Sequence, residues 1–311
     1  MSRVETYIPL YRKYRPQSFA DLVGQEAISR TLGNAIALNK VAHAYLFCGP
    51  RGTGKTSSAR IFAKSLNCEQ GPTMTPCQTC PSCVGITQGN GLDVVEFDAA
   101  SNNSVDDARE LIENCQFAPM AGRFKIYIID EVHMLSTSAF NALLKTLEEP
   151  PPNVIFIFAT TEAHKVLPTI ISRCQRFDFN RITTEQIRQR LAFIAETERI
   201  QIDPEALQLI ARHARGGMRD ALGLLDQVAV LGRAQPGTAL TARELALLIG
   251  SLEEDVLFTI AEAIATRQAD QLLAGIHEQV NRGVEPSQLA KDLMHHFRNL
   301  MLAKAAGPSV S

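Results

Sequence analysis

A chain of 311 residues is long enough for two or three domains with sizeable cores. With 45% hydrophobic and 21% charged residues and no low-complexity block, it reads as globular nearly throughout. A formal charge of -2 offers no bulk field that attracts phosphate, so any contact with nucleic acid has to come from a local basic surface.

The N-terminal MSRVETYIPLYRKYRPQ lacks the apolar core of a signal peptide, and no apolar run approaches bilayer length. We therefore expect a cytoplasmic protein with no membrane partner. In a reducing compartment seven cysteines do not predict a disulfide framework, and a tight cluster among them reads as a metal site.

Short apolar runs at 45–47, 94–97, 126–129 and 154–158 predict buried parallel strands. Helical patterns lie between them, the clearest placing Phe140, Leu143, Leu144 and Leu147 on one face. Strand and helix alternate to about residue 180, which reads as α/β. Beyond that point the periodicity predicts helices over 184–200, 204–214 and 218–231 with no convincing strand. Turn residues fill 232–238, after which 253–266, 269–280 and 285–302 again read as helices, and 307–311 reads as a frayed end.

The segment Gly49-Pro50-Arg51-Gly52-Thr53-Gly54-Lys55-Thr56, with Ser57 next to it, fits G-x-x-x-x-G-K-[ST] between a strand and a helix. Glycines let successive backbone N–H groups curl around phosphate at the positive end of the helix dipole. Lys55 then reaches the β and γ phosphates of ATP, and the Thr56 hydroxyl is offered to magnesium. In Ile126-Tyr127-Ile128-Ile129-Asp130-Glu131 an apolar strand delivers two carboxylates at its C-terminal end, the Walker B pattern. Asp130 would hold magnesium, and Glu131 would orient the water that attacks the γ-phosphate. His133 follows the pair and reads as structural, because Glu131 already fills the catalytic role.

Cys68, Cys77, Cys80 and Cys83 lie in a stretch rich in Gly, Pro, Thr and Gln. Four thiolates suit tetrahedral zinc in a closed, structural site; an iron–sulfur cluster is the competing reading. The metal would fold an insertion too small for a core of its own, while Cys48, Cys115 and Cys174 read as bystanders.

Further strings narrow the choice: Tyr14-Arg15-Pro16, Val23-Gly24-Gln25, Ala159-Thr160-Thr161-Glu162, Ser172-Arg173-Cys174 and Gly216-Gly217-Met218-Arg219-Asp220-Ala221-Leu222. Together with the P-loop, the Walker pair and the four cysteines, they make the chain resemble the clamp-loader group of AAA+ ATPases, and within it the gamma/tau family of bacterial DNA polymerase III. The resemblance covers nearly the whole chain and implies an α/β AAA+ domain at 1–180 with a parallel sheet and a zinc module inserted at about 66–86. A three-helix lid at 181–243 and an all-helical oligomerisation domain at 244–311, the collar, are implied to follow.

The family's role would make this an ATPase motor in a pentameric loader, part of a DNA polymerase holoenzyme, that places the sliding clamp on primer–template DNA. Its implied partners are the delta and delta prime subunits, further gamma/tau copies, the clamp and DNA. By the same resemblance Thr160 is the sensor that ends the strand beside Walker B, Arg173 is an arginine finger acting on a neighbouring subunit's ATP, and Arg219 is a second sensor on the lid. Tyr11, Tyr14, Arg15, Pro16 and Val23 match the segment that flanks adenine. Ser136, Thr137 and Ser138 begin a helix whose amides and hydroxyls are the candidate DNA contact, although such residues are also ordinary helix caps. The rival readings are a non-hydrolysing scaffold subunit and a zinc-dependent nucleic-acid-binding module.

Overall fold

The computed structural model describes residues 7–234, 239–249, 254–281 and 283–306. They fall into two compact units, one within Met1–Leu191 and Ala211–Asp226, the other within Ala192–Ile210 and Gln227–Ser311.

The first unit is built on the strands β1 (Ala44–Cys48), β2 (Val94–Asp98), β3 (Lys125–Asp130), β4 (Val154–Thr160) and β5 (Gln175–Asp178). They pair in parallel in the order β2-β3-β4-β1-β5. Its helices are α1 (Leu10–Lys13), α2 (Glu26–Ala37), α3 (Lys55–Asn67), α4 (Pro81–Gln88), α5 (Val105–Cys115), α6 (Thr137–Glu148) and α7 (Pro168–Ile171).

Successive side chains on a strand point to opposite faces, so each apolar run feeds two cores. Tyr45, Phe47, Ile126, Ile128, Ile155 and Ile157 meet Leu32 and Ile36 of α2 and Ile61, Phe62 and Leu66 of α3. Leu46, Tyr127, Ile129, Phe156 and Phe158 meet Leu111 of α5 and Phe140, Leu143 and Leu147 of α6 on the other face. Burying each such side chain stabilises the fold by about 2 kcal/mol, which holds the carboxyl ends of β1, β3 and β4 in fixed register. Helix α6 starts where the Ser136 hydroxyl accepts the Ala139 N–H and stops before Pro150-Pro151, whose rings disfavour helical backbone.

Three of the four expected strands are buried as predicted. The run at 94–97 is instead an edge strand, with Val95 38% exposed, because it has a neighbour on one side only. The fifth strand escaped the sequence reading: in Gln175-Arg176-Phe177-Asp178 only Phe177 is buried.

Three further helices follow in chain order, α8 (Thr184–Glu198), α9 (Pro204–His213) and α10 (Met218–Ala234). The turn expected to begin at Gly232 is corrected there, since Gly232, Arg233 and Ala234 continue α10; residues 235–238 and the end at 307–311 lie outside the described residues. The second unit also holds α11 (Ala242–Leu248), which was not anticipated, then α12 (Glu254–Ala265), α13 (Ala269–Asn281) and α14 (Pro286–Ala306). Leu257, Ile260 and Leu289 form the core of that last group. Among the described residues no helix is long and apolar enough to cross a membrane.

Candidate functional site: a phosphate loop, an acidic pair and a four-cysteine module

The loop after β1 opens into α3 through Gly49, Gly52 and Gly54 at φ of 147°, 76° and 101°, all in the region that side chains avoid. At Gly49 a Cβ would also lie 2.4 Å from the Phe179 carbonyl oxygen. At Gly52 it would lie 3.1 Å from the Gly217 Cα, where the Met218 N–H donates to the Gly52 carbonyl at 3.0 Å. The Gly216-Gly217-Met218 turn therefore rests directly on the loop.

Lys55 is 6% exposed and donates to the carbonyls of Gly49 and Pro50, both at 2.8 Å. Burial pushes its ammonium down, and Glu131 and Asp130 push it back up. A phosphate would add a negative charge beside this buried lysine. The Thr56 hydroxyl donates to Asp130 Oδ2 at 2.6 Å across the gap between α3 and β3. Hydroxyl and carboxylate oxygens at that separation suit a hard octahedral cation such as magnesium.

These groups open on a cavity of about 440 Å³. Arg51, Gly52, Thr53, Gly54, Lys55, Thr56 and Ser57 line it, as do Asp130 and Glu131. Tyr11, Tyr14, Arg15, Pro16 and Val23 line it too, and the Arg219 guanidinium lies 5.3 Å from the Tyr11 ring centroid. The N-terminal segment is tied down by the Tyr7 hydroxyl, which donates to Asp226, and by the Leu10 N–H, which donates to the same carboxylate at 3.3 Å.

Glu131 adopts φ 47°, a left-handed conformation that costs a non-glycine residue on the order of 1 kcal/mol and that concentrates at functional sites. Its Oε2 accepts the Thr161 N–H at 3.1 Å and the Thr161 hydroxyl at 2.9 Å. The fully buried Thr160 meets the His133 Nδ1 at 3.0 Å. On the same ring Nε2 is 3.1 Å from Glu162 and Nδ1 is 3.4 Å from Glu131.

Arg173 does not line this cavity. It lies on the surface, ion-paired with Glu148 at 2.6 Å and donating to the Thr169 carbonyl. Ser136 spends its hydroxyl on the helix cap described above, while Thr137 and Ser138 are exposed.

The sulfurs of Cys68, Cys77, Cys80 and Cys83 lie within 4.8 Å of one another. A tetrahedral ion with bonds of 2.3 Å needs sulfurs about 3.8 Å apart, so the set fits one zinc ion with little movement. A multi-iron cluster would spread the sulfurs further. Backbone N–H groups are already aimed at the sulfurs, from Cys77 to Cys68 at 3.4 Å, Cys80 to Cys77 at 3.3 Å and Cys83 to Cys80 at 3.5 Å. Hydrogen bonds from Thr79 and Cys80 hold the Cys77 thiol down at about 6, whereas burial pushes the Cys83 thiol up.

Family models match the chain as "DNA polymerase III, delta subunit" over residues 24–183, "DNA polymerase III clamp loader subunit, ATPase lid domain" over 186–234 and "DNA polymerase III subunits gamma and tau domain III" over 240–310. The chain is 39% identical over 299 residues to DNA polymerase III subunit gamma of Buchnera aphidicola, covering 96% of this chain and 82% of that one. The chain belongs to the gamma/tau family of DNA polymerase III subunits.

It is also 50% identical to the tau subunit of Bacillus subtilis over 97% of this chain and 53% of that one, and 47% identical to the tau subunit of Escherichia coli over 97% and 47%. It thus spans about half the length of these two relatives. The Thermotoga maritima RuvB Holliday junction branch migration motor superimposes with a TM-score of 0.59 over 89% of this chain and 88% of that one, at 18% identity, which establishes the AAA+ fold alone. In this member of the family a four-cysteine module is inserted between α3 and β2, and helical lid and C-terminal regions follow the AAA+ domain.

Several lining residues were not singled out from the sequence: Asp21, Asp98, Ile182 and Arg190. Arg190 sits two positions after Arg188, which is ion-paired with Glu185 at 2.7 Å. Residue type does not distinguish these two arginines; only the helix face does.

Proposed function

We propose that this chain is the ATPase motor subunit of a clamp loader, binding and hydrolysing ATP to place a sliding clamp on primer–template DNA. The observation that carries the reading is the 2.6 Å contact between Thr56 and Asp130, inside a cavity that Lys55 and Glu131 also line.

Lys55 exchanges its two carbonyl acceptors for β- and γ-phosphate oxygens. Thr56 and Asp130 would hold magnesium, which would supply charge neutralisation on the phosphates. Glu131, oriented by Thr161, accepts a proton from the attacking water as its oxygen bonds the γ-phosphorus in line and the bond to the β–γ bridging oxygen breaks, releasing ADP and phosphate. Thr160 senses the terminal phosphate, Arg219 reads it from the lid, and adenine sits against Tyr11, Tyr14, Arg15, Pro16 and Val23. Arg173 completes a neighbouring subunit's site, where its charge stabilises the transferring phosphoryl group. Its place on the surface suits action in trans.

In this reading residues 1–180 carry the nucleotide, 181–243 the lid and 244–311 the oligomerisation collar. The cysteines hold structural zinc, and the start of α6 is the DNA contact. Partners are the delta and delta prime subunits and further copies of gamma/tau. The test is ATP turnover with and without partner subunits, clamp and primed DNA. Strong stimulation by the complete set is expected, and none would overturn the loader assignment.

A further inference from the structure

The cysteine module is wired to the nucleotide cavity through one side chain. Gln17 follows Tyr14-Arg15-Pro16 directly, and its carboxamide Nε2 donates to the Arg15 carbonyl at 2.8 Å, fixing the backbone of that lining segment. Its own N–H donates to Asp21, a second lining residue, at 3.2 Å. The other side of Gln17 faces the module. Its Oε1 accepts from Lys64 at 2.6 Å and from the Thr87 hydroxyl of α4 at 3.3 Å, and its backbone carbonyl accepts from Gln78 Nε2 at 2.9 Å.

Gln78 lies between Cys77 and Cys80 at φ 63°, a left-handed conformation that needs surrounding structure to hold it. Its side-chain oxygen accepts a second hydrogen bond from Lys64, at 2.9 Å. Lys64 is 2% exposed and lies on α3, the helix that begins at the phosphate loop. A buried ammonium held by two amide oxygens loses much if either amide moves. Metal ligands are oriented by such outer partners, which in turn feel the ligands' geometry.

We propose that Gln17, with Gln78 and Lys64, couples metal occupancy of the four-cysteine module to nucleotide affinity. Zinc fixes Cys77, Cys80 and Cys83, hence Gln78, hence Gln17 and the Tyr14-Arg15-Pro16 wall. Linkage makes the effect reciprocal, so ATP tightens zinc by the factor by which zinc tightens ATP. The inference rests on the nucleotide and zinc readings above.

The experiment measures the Kd for ATP with magnesium by calorimetry on zinc-loaded and zinc-stripped full chain, and zinc affinity by chelator competition with and without ATP. We expect zinc to tighten ATP roughly fivefold or more, with the same factor in the reciprocal measurement. Gln17→Ala is expected to keep its zinc content and lose that factor. Equal ATP affinity in both zinc states, or an undiminished factor in Gln17→Ala, overturns the coupling alone; no ATP binding in either state overturns the nucleotide reading as well. If circular dichroism shows the stripped chain unfolded, the zinc-loaded set Gln17→Ala, Gln78→Ala and the double variant decides. Non-additive losses of ATP affinity support the coupling, and additive or absent losses overturn it.

Discussion

His133 Nδ1 and Thr160 Oγ1 meet at 3.0 Å at the carboxyl end of β4. On the same ring Nε2 lies 3.1 Å from the Glu162 carboxylate and Nδ1 lies 3.4 Å from that of Glu131. That places a positioning residue between Thr160 and Glu131. His133→Ala is expected to lower kcat about tenfold or more with little change in KM. His133→Asn, whose amide reaches where Nδ1 does, is expected to restore more turnover than His133→Gln. A fall in KM-normalised binding with unchanged kcat would contradict this role.

Lys55 and Glu131 line one cavity but do different work, and substitution separates them. Lys55→Ala removes charge-assisted bonds to phosphate and is expected to weaken ATP roughly 100-fold. Glu131→Gln preserves shape and is expected to bind ATP normally while turnover falls roughly 100-fold or more. Binding by calorimetry and single-turnover hydrolysis check both.

Arg173 is held by Glu148 at 2.6 Å, a surface pair worth at most about 1 kcal/mol, which assembly can readily exchange for a phosphate. Arg173→Ala is expected to bind ATP like the parent chain and, in the reconstituted assembly, to lose roughly a thousandfold in stimulated turnover. Mixing experiments, with the variant placed in one subunit position, read out which neighbour is affected.

Asp93 supplies an acid-sensitive point remote from the cavity. Its buried carboxylate accepts the N–H groups of Met120, Ala121 and Gly122 at 2.6 to 2.7 Å. Burial alone would raise its pKa, but those three bonds win and hold it below the usual value. A depressed folded value means the stabilisation is complete above the unfolded value of about 3.9 and is lost as pH falls below it. Asp93→Asn is expected to cost about 2 kcal/mol at neutral pH and to flatten the loss of stability below pH 4. Urea melts across pH report both.

Much of this site was legible because its parts are contiguous in the chain. Gly49 to Thr56 need only their own order to make a phosphate loop, and Asp130-Glu131 need only the strand before them. Gln17, Arg190 and Asp98 carry no such local mark, since they matter through residues far away in sequence, as Gln17 does through Lys64 and Gln78. The same reason hid β5, whose polar alternation makes sense only beside β1. His133 read as structural from its place beside the Walker pair, and its contact with Thr160 at the end of β4 could not be seen from that segment alone.

The contact between Gly52 and Gly217 has a consequence for how such a chain can vary. Two bare backbones pressed together leave no room for compensation, because enlarging one partner cannot be offset by shrinking the other below hydrogen. A side chain at either position would therefore have to push the phosphate loop and the turn apart.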